Sequence, residues 1–83
     1  MRIRKQEIGN RNIVGQKVEA RRKEINMKQR DLLTQLQIKG IDINASGLSK
    51  IEGQLRSVND YELKALSDVL GISVNELLGI ENK

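Results

Sequence analysis

The chain has no cysteine, histidine, proline, tryptophan or phenylalanine, and Tyr61 is its one aromatic residue. Each absence removes a class of protein. Without cysteine there is no disulfide framework and no thiol nucleophile, and without cysteine and histidine together the usual ligands of structural zinc are missing. Without histidine the commonest general base near neutral pH is also gone. In a chain of 83 residues, which makes one domain with little room for a substrate cavity, these gaps predict no enzyme, no metal, no cofactor and no small-molecule ligand. The scarcity of proline and aromatics favours compact helices over strands and polyproline linkers. Apolar runs never exceed a few residues and the opening Met1-Arg-Ile-Arg-Lys5 has no apolar stretch, so neither a membrane segment nor a secretion signal is expected. A cysteine-free chain of this kind fits a cytoplasmic location.

What is present is charge, unevenly spread. Residues 1–30 hold ten Lys and Arg against three Asp and Glu, whereas residues 31–83 hold five against eight, within a net charge of +4. A basic amino-terminal part suits a polyanion, although charge runs are also the ordinary surface of a small domain.

Hydrophobic spacing predicts an all-α chain of five helices. Residues 1–12, with Arg2, Arg4, Lys5 and Arg11, show little periodicity and read as a basic amino-terminal arm or a frayed extension of helix 1, leaving 13–83 as the folded domain. The first helix spans about Ile13 to Ile25, with Val14, Val18 and Ile25 inward and Asn26 as a left-handed terminator. The second begins at Gln29, carries Leu32, Leu33 and Leu36 on one face and stops at Gly40; Lys28 before it cannot accept an amide proton as a capping residue does. Ile41 and Ile43 then pack down as an extended connector and Asn44 caps the third helix, about Ala45 to Glu52. Asn59-x-x-Glu62 and Ser73-x-x-Glu76 read as capping boxes opening the fourth and fifth helices near Asp60 and Val74, with Leu63, Leu66, Val69 and Leu70 inward on the fourth and Leu77 and Leu78 on the fifth.

In the third helix only Leu48 and Ile51 look inward, so Ala45, Ser46, Ser49 and Lys50 face out. A face of small polar residues and one lysine can approach a base-pair edge without clashing. Gly47 costs on the order of 1 kcal/mol relative to Ala in a helix interior. It is there either for packing against the second helix or for approach to a DNA backbone.

At these residues the chain resembles the Cro-type, lambda-repressor-like helix-turn-helix family of bacterial and phage regulators. The resemblance covers Val14 to Leu78 and rests on Val14-Gly15, Arg22, Lys28-Gln29, Leu48-Ser-Lys-Ile-Glu52, Gly53 and Leu70-Gly71-Ile72-Ser73 taken in order. Three departures stand out. Lys28 occupies the place of a capping Thr, Gln37-Ile-Lys-Gly-Ile-Asp-Ile43 is longer than the family's turn, and the loop glycine more often falls one residue after Gly53.

The resemblance implies a double-stranded DNA-binding transcriptional regulator, a repressor in the first instance, that meets its operator as a homodimer. Base readout falls on Ala45, Ser46 and Lys50 with Ser49 nearby; phosphate contacts fall on Lys28, Gln29, Gln54 and Arg56. Arg22 and Glu52 occupy positions that the family joins as an ion pair. The apolar excess of Val74, Leu77, Leu78 and Ile80 either closes a dimer or caps the monomer core. A small helical adaptor or antitoxin-like module of the same fold is the competing reading, since a fold does not dictate a function.

Overall fold

The computed structural model describes residues 9–80; most of the expected basic arm, residues 1–8, lies outside the described residues. Among the described residues the chain forms five α-helices and no strand: α1 (Gly15–Glu24), α2 (Gln29–Ile38), α3 (Ala45–Glu52), α4 (Asp60–Leu70) and α5 (Val74–Leu78).

Every helix stops at a residue in the left-handed region, and these are the only positive-φ residues described: Asn26, Gly40, Gln54, Gly71 and Gly79. Such a residue turns the chain back so that the last amides can bond the orphan carbonyls of the final turn. At the end of α2, Gly40 N–H donates to Gln37 O at 2.9 Å and Ile41 N–H to Leu36 O at 3.0 Å, which swings Ile41 inward beside the core. Gln54 does the same for α3, with φ of 61°, although a side chain at left-handed φ costs about 1–2 kcal/mol that glycine would avoid. Gly53, expected as the loop glycine, keeps an ordinary φ of −85°.

The helix starts are set by side chains. Asn44 Oδ1 accepts from Gly47 N–H at 2.7 Å, and Asn59 and Ser73 make reciprocal boxes with Glu62 and Glu76. Lys28 supplies no acceptor; the Asp31 carboxylate instead accepts from the Lys28 amide at 3.3 Å. The first helix starts two residues later than its spacing predicts, because Asn12 Oδ1 accepts from both Val14 and Gly15 N–H, at 3.1 and 2.8 Å, and marks the point where coiling begins. Ile13 is left outside, 67% exposed.

One core joins the helices. Val18 of α1, Leu32 and Leu36 of α2, Leu48 and Ile51 of α3, and Leu66 and Leu70 of α4 are fully buried. α4 packs on α1, α2 and α5, while α3 packs on α1 and α2. The inward face of α4 is rotated from the expectation: Ala65 is buried with Leu66 and Leu70, and Leu63 and Val69 lie half-buried at its borders. Ile43 is buried beneath the start of α3, where Gly47 meets it. Of the two reasons offered for Gly47, packing on α2 gives way to packing on the connector; a Cβ there would lie 3.0 Å from Ile43 Cγ1 and 3.3 Å from Asn44 Oδ1.

In the fifth helix, burial decides between the two readings offered for Leu77. Leu77 is fully buried in the monomer core, because in so short a helix one side chain must anchor it to α4. It has nothing to offer a second subunit. Val74 and Leu78 are half-buried, and Ile80 is 53% exposed.

Candidate nucleic-acid interface

Ala45, Ser46, Ser49 and Lys50 are all exposed on one side of α3. Their exposure follows from the burial of Leu48 and Ile51, which turns the rest of the eight-residue helix outward.

Behind that face lies a buried pair. Arg22 Nε and Nη2 donate to the two oxygens of Glu52 at 2.8 and 3.2 Å, and Arg22 Nη1 donates to Met27 O at 3.0 Å. The side chains keep only 10% and 5% of their accessible surface. One guanidinium thus ties the end of α1, the α1–α2 turn and the last residue of α3. Two-point geometry of this kind fixes orientation as well as contributing energy. Glu52 Oε1 accepts a third bond, from Gln29 Nε2 at 3.0 Å, and Ser49 Oγ donates to Gln29 Oε1 at 3.3 Å. Gln29, assigned to a phosphate, is held within the protein at both ends of its amide. One Nε2–H is left over, and Gln29 sits half-buried at the start of α2 with Lys28 exposed next to it.

The loop after α3 is tied down more heavily than its sequence suggests. Gly9 N–H donates to Gly53 O at 2.8 Å and Arg11 N–H to Gln54 O at 3.0 Å. Asn12 Nδ2 donates to Ile51 O at 3.1 Å and to Arg56 O at 2.8 Å, while Asn12 O accepts from Gln54 Nε2 at 2.7 Å. Asn12 is the hub: its amide opens α1 and closes α3 at once. Gly9 and Gly15 make the approach possible, since a Cβ on Gly9 would overlap Gln54 O and one on Gly15 would overlap Ile51 O.

This strap redefines two expected phosphate contacts. Gln54 Nε2 gives one of its two protons to Asn12 O, and Arg56 Nη2 donates to Glu62 Oε2 at 2.8 Å. Arg56 Nη1 is buried without a hydrogen-bond partner. Glu62, itself buried, is committed to Arg56 and to the amide of Asn59. Donor capacity toward a ligand remains on the second Gln54 Nε2–H and on the exposed edge of the Arg56 guanidinium, whose side chain keeps 34% of its accessible surface.

Asn12 and Glu62 are the site residues that sequence reasoning missed. Asn12 carried a signal, since an Asn just before a helical run is a capping residue. Glu62 read only as a box partner. Among the described residues no group of three or more His, Cys, Asp or Glu is placed to hold a metal ion, and no helix is long and apolar enough to cross a membrane. No protein-family model, curated protein or solved structure matches the chain.

Proposed function

We propose that the chain is a sequence-specific, double-stranded DNA-binding regulator of lambda-repressor-like helix-turn-helix type, with α2 as scaffold and α3 as recognition helix. The observation that carries this reading is the contrast within α3. One side is bare and made of small polar residues and a lysine, while the other is locked to α1 and α2 through Leu48, Ile51 and the Arg22–Glu52 pair. A rigid helix presenting low side chains fits a major groove, in which Lys50 donates to guanine O6 or N7, Ser46 donates or accepts, and the Ala45 methyl meets a thymine methyl. The phosphate contacts fall to the remaining Gln29 N–H and the neighbouring Lys28 at the start of α2, and to the Arg56 edge.

A reading set this small needs a second half-site. The chain acts as a homodimer through Val74, Leu78 and Ile80, with recognition helices about 34 Å apart on one face of the duplex. It represses by occupying the operator, in the cytoplasm. Mobility-shift titration with random and selected duplexes at two salt concentrations tests the reading, because each phosphate contact contributes about 0.9 to the slope of log affinity against log salt. Salt-independent affinity, or none at low salt, overturns it in favour of the protein-binding adaptor.

A further inference from the structure

We propose that Ser49 reads DNA as a hydrogen-bond acceptor only, so that the base it recognises is one bearing an exocyclic amine in the major groove. This rests on the DNA-binding reading above and sharpens the chemistry of one residue within it.

The inference comes from following protons along three side chains. The Glu52 carboxylate, held by Arg22, can only accept. The end of the Gln29 amide that lies 3.0 Å from Glu52 Oε1 is therefore its NH2, and the carbonyl oxygen must be the end turned toward Ser49. Ser49 Oγ lies 3.3 Å from that oxygen. Two oxygens make a hydrogen bond only if one supplies a proton, and a carbonyl has none. The single Ser49 proton is thus directed inward to Gln29, and the lone pairs of Oγ are what the exposed face of α3 presents. Guanine O6 and N7, thymine O4 and phosphate oxygens offer acceptors to such a group and gain nothing from it. Adenine N6 and cytosine N4 offer protons. Ser46, three residues earlier on the same face, has no such bond fixing its hydroxyl among the described residues, so two serines on one helix differ in what they can read. The polarity originates in the buried Arg22–Glu52 pair and reaches the surface through Gln29.

The test has two arms, both on the full chain. In the free protein, Ser49→Ala should shift the side-chain amide resonances of Gln29, and Ser49→Thr should leave them near the parent's. Unmoved resonances in Ser49→Ala overturn the proposal whatever happens with DNA. In the second arm, operators are selected from random duplexes with the parent and with Ser49→Ala, and the base pair whose preference disappears is altered chemically. 2-Aminopurine in place of adenine moves the amine to the minor groove, and 2-pyrimidinone in place of cytosine removes it. Deleting the amine should weaken the parent about three- to tenfold, the size of one neutral hydrogen bond, with no further loss in Ser49→Ala. A parent that binds its operator but is indifferent to the amine overturns the acceptor role and leaves DNA binding intact. A parent without affinity for any duplex overturns both.

Discussion

The two ends of α3 are built on opposite principles. Its start is held by one capping bond from Asn44 and by van der Waals contact between Gly47 and Ile43. Its end is clamped by the Arg22–Glu52 pair, by Gln29, and by a strap from Gly9 to Asn12 that bonds the backbone carbonyls of Ile51, Gly53, Gln54 and Arg56. The difference shows where rigidity comes from in a domain too small for a large core. Polar groups with fixed directions hold the helix at one end, which leaves the outward face free of structural duties except at Ser49.

Removing the clamp is the harshest way to test this contrast. Arg22→Ala leaves the Glu52 carboxylate buried without its cation and should destabilise the fold by about 3–5 kcal/mol, read as a collapse of the thermal transition. Adding Glu52→Ala should recover part of the loss, because the uncompensated charge then disappears. A parent-like melt for both variants means that the pair carries no weight and that the clamp lies elsewhere.

Gly15→Ala comes next, at about 1–3 kcal/mol, since its methyl group meets the Ile51 carbonyl and backbone has to move. Lys50→Ala probes the other region and should leave the melt unchanged. Its effect should be a loss of about 5- to 150-fold in preference for the selected operator over random duplex, whereas Lys28→Ala weakens both duplexes. An unchanged specificity ratio in Lys50→Ala removes Lys50 from base readout. The smallest effect belongs to Gly47→Ala. There the gain in helix propensity, up to about 1 kcal/mol, is set against a side-chain contact that Ile43 can yield, and the melt should move by less than 1 kcal/mol in either direction. If Gly15→Ala and Gly47→Ala melt alike, the two ends of α3 are not as different as their contacts.

The helices were legible because their signals are local. Asn44, Asn59 and Ser73 open helices, Gly40, Gly71 and Gly79 end them, and the 3.6-residue spacing of Leu32 with Leu36 and of Leu66 with Leu70 marks the inward faces. The exposure of Ala45, Ser46, Ser49 and Lys50 follows from the same spacing. Leu77 was read both as inward and as part of a dimer face, and only its burial decides for the core, because a count of apolar side chains does not say which one a five-residue helix buries. The internal partners of Gln54 and Arg56 were not legible, because a polar side chain in a loop has the same composition whether it faces a ligand, a neighbouring carbonyl or a carboxylate.

By itself, then, the sequence determined five helices, their boundaries to within two residues and the outward face of the third, since each depends on residues within a turn or two of one another. Only the tertiary structure decided that Asn12 joins α1 to the end of α3, that Gln29 faces inward to Glu52, and that the Ser49 proton is already taken. Those outcomes hang on contacts 20 to 44 residues apart along the chain. A hydrogen bond has a direction and a donor, and neither can be assigned until the partner that packing brings to it is known.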